Sequence, residues 1–95
     1  MALDFGTIQK DPGDTLNASV SFAADLATAG AGVLITGNAT VSASGCTATH
    51  TATQSTGKVT IQISGGRTDR VSEVTVTAVY TNGETQSGVL YVSPG

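Results

Sequence analysis

The sequence predicts an all-β fold, a sandwich of about seven antiparallel strands. Apolar and polar residues alternate with period two through windows such as Leu16–Phe22, Lys58–Ser64 and Val74–Thr81, the pattern of strands buried on one face. Turn residues punctuate these windows at intervals of about 8–12 positions. The only helix-forming window, Ala23–Gly32, is short and closes on glycines, so βαβ units and a parallel sheet are excluded.

The elements follow in chain order. Residues 1–10 read as an extended N-terminal arm and residues 11–95 as one sandwich domain, with Lys10-Asp11-Pro12-Gly13-Asp14 as the entry turn. Leu16, Ala18, Val20 and Phe22 form the core face of the next strand. Ala23–Gly32 is expected as a turn holding one helical turn. Val33–Thr36 and Ala39–Ala43 read as two short strands parted by a turn or bulge at Gly37-Asn38. Cys46–Thr53 has Thr at every second position and no large apolar face, which suits an edge strand, a solvated strand or a strand completed by a partner. Lys58–Ser64 turns Val59, Ile61 and Ile63 inward, and Gly65–Arg70 connects onward. Val71–Val92 carries the strongest local signal: two strands joined at Asn82-Gly83, a pair that suits a type I′ turn with φ > 0 at both residues.

A chain of 95 residues makes one domain. Its 39% apolar content is mostly Ala and Val, with no Trp, two Phe and two Tyr, so the core is light and neighbours in an assembly are expected to contribute stability. Four Lys+Arg against seven Asp+Glu give a net charge of −3, which disfavours nucleic acid as a partner. No window approaches the roughly 20 apolar residues that span a bilayer. The first residues lack the basic start and apolar run of a signal peptide, so assembly in a cytoplasm is expected. The single Cys46 agrees with that compartment.

Residues with chemical potential are few and scattered. Cys46 and His50 share a strand face but stand about 13 Å apart at ~3.3 Å rise per residue, too far for a nucleophile–base pair, and no further Cys or His completes a zinc site. Asp11, Asp14, Asp25 and Asp69 fall in expected turns, where Asp bonds nearby backbone N–H groups. Gly65-Gly66 is no phosphate cradle, because no helix follows it. Arg67, Asp69 and Arg70 gather opposite charges in one loop, which reads as a solvated loop or, alternatively, as an ion-pair site at an interface. Leu3, Phe5 and Ile8 alternate with polar residues in the arm, which suits either a strand added to a neighbour's sheet edge or a disordered terminus. No catalytic, cofactor or metal site is expected.

Lys10-Asp11-Pro12 before a strand, Ile63-Ser64-Gly65-Gly66 after a strand, and Thr81-Asn82-Gly83 ahead of the last strand occur in an order that covers almost the whole chain. In that order they resemble small structural proteins of tailed bacteriophages, the fibre-tail adaptor or neck proteins with an immunoglobulin-like fold. The resemblance implies a non-enzymatic virion component, repeated or homo-oligomeric, that joins fibres or other proteins to the neck or tail. Its implied partners are phage neck, tail or fibre proteins, with no cofactor and no membrane or nucleic-acid role. A capsid decoration protein is the structural alternative. A carbohydrate-binding module is less well supported, because Phe5, Phe22, Tyr80 and Tyr91 are few aromatics from which to build a sugar platform.

Overall fold

Period-two alternation is realised as two stacked sheets in the computed structural model, which describes residues 3–11, 13–66 and 68–94. Among the described residues there are seven strands: β1 Leu3–Gln9, β2 Leu16–Ser21, β3 Ile35–Ser44, β4 Thr47–Thr53, β5 Lys58–Ser64, β6 Ser72–Tyr80 and β7 Thr85–Ser93. One helix, α1 Ala23–Ala29, links β2 to β3. The larger sheet has the order β1-β7-β6-β3 and the smaller β2-β5-β4. Val59, Ile61 and Ile63 of the smaller sheet face Val74, Val76, Ala78, Leu90 and Val92 of the larger, and all are buried. No helix among the described residues is long and apolar enough to cross a membrane.

The strand count agrees with expectation, but its members differ. Val33–Thr36 and Ala39–Ala43 do not form separate strands; Ile35–Ser44 runs on as β3, with a register shift between Thr36 and Thr40. Gly37 sits at that shift with φ 66°, so the extra residues are absorbed as a bulge and the ladder to β6 resumes. The seventh strand comes from the segment expected to stand ahead of the sandwich. Leu3–Gln9 of that segment is β1, which lies along β7 with Leu3 opposite Gly88 and Ile8 opposite Val92. This pairing is parallel, a departure from the all-antiparallel expectation. It needs no βαβ unit, because the chain between the paired strands passes through the rest of the sandwich.

Two local expectations are also corrected. The Ala-rich window forms a seven-residue helix instead of a single turn. Leu26 is its buried contact, and Gly30 closes it with an N–H bond to the Leu26 carbonyl at 3.2 Å. Alanine has the best intrinsic helix propensity, and one buried leucine supplies the packing that a short helix otherwise lacks.

The β6–β7 hairpin uses a three-residue loop. Tyr80 accepts from Gly83 N–H at 3.0 Å and donates to the Glu84 carbonyl at 2.8 Å, leaving Thr81, Asn82 and Gly83 between the last paired residues. Gly83 has φ 89°, and no non-glycine residue among those described has positive φ, which rules out type I′. The geometry is that of a tight turn followed by a left-handed residue forming a bulge. Asn82 serves the loop through its side chain, accepting from Glu84 N–H at 3.0 Å.

The space around Gly83 is open to an added Cβ, so the backbone alone determines what the position tolerates. Gly83→Val is expected to lower stability by about 1–2 kcal/mol and Gly83→Asn by distinctly less, since Asn visits the left-handed region more readily. Urea denaturation of the two variants checks the order; equal midpoints would contradict this account of the loop.

Candidate interaction surfaces

The residues singled out in the sequence occupy separate places in the fold. Leu3, Phe5 and Ile8 lie on the inward side of β1, half-buried against the core. The Phe5 ring meets Phe22 edge-on, with centroids 5.2 Å apart. It lies directly over Gly88 of β7, where an added Cβ would fall 2.3 Å from the ring. These apolar side chains therefore close the protein's own sandwich.

Asp69 and Arg70 stand exposed in the connection between β5 and β6, while Arg67 lies outside the described residues. Ile8 and Ser72 both pair with Val92, from opposite sides of β7, so the end of β1 and the Asp69–Arg70 loop share one end of the sandwich. Leu3 and Phe5 lie further along. The five candidates among the described residues thus do not share one patch.

At this end the structure holds a feature that spacing did not reveal. Lys10 is buried, 5% exposed, although lysine rarely is. Its backbone N–H donates to the Ser93 carbonyl at 2.9 Å. Its ammonium donates to the Asp11 carbonyl at 2.9 Å and to the Gly65 carbonyl. One side chain therefore ties the turn after β1 to the start of the β5–β6 connection, and its backbone reaches the end of β7. The two separate motifs at Lys10-Asp11 and Ser64-Gly65-Gly66 are the two halves of this clasp. A shallow depression lined by Gln9, Lys10, Asp11, Asp14, Thr15 and Leu16 opens beside it.

The opposite end is organised by Tyr80. Its hydroxyl donates to Asp25 of α1 at 2.7 Å, and its ring meets Phe22 edge-on with centroids 6.4 Å apart. Burial, then the hydrogen bond to Asp25 and the charges of Asp25 and Glu84, push the phenol well above the ordinary tyrosine value of 10.0. The arrangement is structural, since it fixes the helix to the hairpin. Elsewhere, the His50 ring is hydrogen-bonded to Thr53, and Cys46 is half-buried against the core. Among the described residues no group of three or more His, Cys, Asp or Glu could hold a metal ion.

Two measurements probe these ends. Lys10→Met keeps the apolar stem but deprives the Gly65 and Asp11 carbonyls of their donor, and is expected to cost about 1–3 kcal/mol and to raise amide exchange in the β5–β6 connection. For Tyr80→Phe, the loss is expected to be about 1–3 kcal/mol near neutral pH. The raised phenol gives a definite alkaline sign: above about pH 10 the unfolded tyrosine ionises while the folded one stays neutral, so wild-type stability falls with rising pH. The gap between wild type and Tyr80→Phe should therefore shrink there, as denaturation at pH 8 and pH 11 would show.

Comparison with known protein families gives one match. Residues 10–93 fit the family described as Podophage GP4 fiber-tail adaptor protein gp77. No curated protein and no solved structure matches the chain. The matched span begins at Lys10 and ends at Ser93, the two residues joined by the backbone bond of the clasp.

Proposed function

The chain belongs to the podophage fibre-tail adaptor family, and from that premise we propose that it is a non-enzymatic, multi-copy connector at the neck or tail, holding fibres or other proteins to the particle. As a member of that family it is a phage tail structural adaptor and a virion component. The observation behind the adaptor reading is the match itself, which spans the sandwich from the clasp residue Lys10 to Ser93 at the end of β7. The strand orders support an immunoglobulin-like description of the sandwich. The small sheet corresponds to the B-E-D strands of that fold and the large one to C-F-G, with β1 added beside the last strand.

The proposed contact surface is the clasp end. Asp69 and Arg70 stand exposed at this end, and the Lys10 bonds keep the start of the β5–β6 connection in place for a partner. Leu3 and Phe5 contribute indirectly by fixing β1 to β7. Charged residues make up only 12% of the chain, so attachment would rest on shape, main-chain hydrogen bonds and apolar contact more than on ion pairs. Such an interface keeps most of its affinity in salt. Sparse, net-negative charge disfavours a nucleic-acid partner, a light core suits support from neighbouring virion proteins, and the single Cys46 suits assembly in the host cytoplasm.

Particles assembled without this chain are expected to keep heads and tails but to lack fibres in electron micrographs. Addition of the purified chain together with fibre protein should restore them. A full set of fibres on particles lacking the chain would overturn the reading.

A further inference from the structure

A two-sheet sandwich has four edge strands, here β1 and β3 in the large sheet and β2 and β4 in the small one. Exposed edges invite further pairing, and proteins blunt them with bulges, prolines or charges. Three of the four are bulged: β1 between Asp4 and Thr7, β3 between Thr36 and Thr40, and β4 between His50 and Ala52. The β3/β4 side is further bridged by Ala39 N–H donating to Thr53 Oγ1 at 3.0 Å. β2 differs from all of them. Its six residues pair with β5 in unbroken register from Leu16 opposite Ile63 to Ser21 opposite Lys58, and Leu16–Ser21 contains neither proline nor charge.

The core is also open on this side. Ile61 and Ile63 of β5 are 0% exposed, yet their neighbours on β2, Ala18 and Leu16, are only half-buried. An added strand would cover both the free backbone edge and these two side chains.

We propose that the β2 edge is a docking site for a second copy of this chain, pairing antiparallel about a two-fold axis at Ala18 to give a continuous six-stranded sheet. In the register that keeps inward residues together and includes Leu16, Leu16 lies opposite Val20 of the second copy and Asn17 opposite its Ser19. No like charges face each other. The charge pattern favours a second copy as the occupant. Asp11 and Asp14 stand exposed just before β2, whereas Lys58 stands exposed beside its far end. An antiparallel dyad brings the acidic end of each β2 alongside the basic end of the other. The contact is isologous, and one strand pair is smaller than a standard interface of about 1,600 Å². It is therefore a weak dimer in solution that strengthens when copies are held together on a particle. The proposal rests on the multi-copy reading given above.

The dyad places the two Ala18 Cα atoms about 4.5–5.5 Å apart, within disulfide range. In a Cys46→Ser background, oxidised full-length Ala18→Cys is expected to form a covalent dimer, while Ser21→Cys, far from its own copy in this register, stays monomeric. In sedimentation at several hundred micromolar, the wild type should show a monomer–dimer equilibrium. Ala18→Lys should abolish that equilibrium while circular dichroism confirms that it folds. Cross-linking at position 21 equal to that at 18, a dimer that survives in folded Ala18→Lys, or a wild type that remains monomeric would each overturn the proposal. Should Ala18→Lys fail to fold, the cross-linking comparison decides alone. Fibre attachment to particles is scored separately, so losing the dimer would leave the adaptor reading to its own test.

Discussion

Three rings in edge-to-face contact, Phe5, Phe22 and Tyr80, hold together parts of the chain that hydrogen-bond ladders alone do not join. Phe5 belongs to β1 on the large sheet, Phe22 follows β2 of the small sheet at the start of α1, and Tyr80 closes β6 and reaches α1 through Asp25. The remaining core is valine, isoleucine, leucine and alanine, whose side chains bury less area than an aromatic ring. Removing a buried Phe typically costs about 3–5 kcal/mol, against a total of about 5–15 kcal/mol for a natural domain. Phe22 touches both other rings and is fully buried, so this small sandwich depends on it more than on any single valine. Two glycines make the arrangement possible. Gly88 leaves room for the Phe5 ring, and Gly57 allows the Ala23 backbone within 2.7 Å of where a Cβ would stand, while its carbonyl accepts from Phe22 N–H at 2.9 Å.

The clasp at the other end works by a different physics. A buried ammonium loses hydration and is tolerable only if its protons find partners. Lys10 finds them on carbonyls of its own turn and of the β5–β6 connection, and no buried side-chain nitrogen or oxygen among the described residues lacks a partner. A long flexible stem suits this task, because it follows the apolar surface while its head reaches polar groups. The result is a loop end held against the terminus of β7 without a disulfide or metal. At the contact surface proposed above this would matter, since ordering a loop before binding removes part of the entropy lost on association.

Legibility followed the range of the interaction. β2, β5, β6 and β7 were readable because alternation is local and their core faces carry Val, Ile, Leu, Phe and Tyr. β1 alternates too, but its pairing with β7 spans nearly the whole chain and is parallel, so no hairpin turn announces it. Leu3, Phe5 and Ile8 consequently read as an arm for a neighbour. The Asn82-Gly83 pair located the hairpin but not its loop length, because the same dipeptide fits two-residue and three-residue connections. In the sequence Lys10 stands out only as part of a short motif. Nothing in a lysine beside a turn shows that its ammonium reaches Gly65, 55 positions along the chain.

The distribution of edge defects now has a physical reading. A bulge twists an edge away from an incoming strand, and β1, β3 and β4 each carry one. Aggregation would be poorly controlled if every edge were straight, and assembly through strands would be blocked if every edge were broken. One plain edge beside two half-covered apolar side chains makes strand addition directional, because only one line of free donors and acceptors lies flat. In the proposed pairing, backbone register and side-chain alternation align the strands, and the few charges at the two ends of β2 favour a second copy as the partner. On the proposed pairing, specificity would lie in which edge is left regular, a property of backbone geometry that residue composition alone does not reveal.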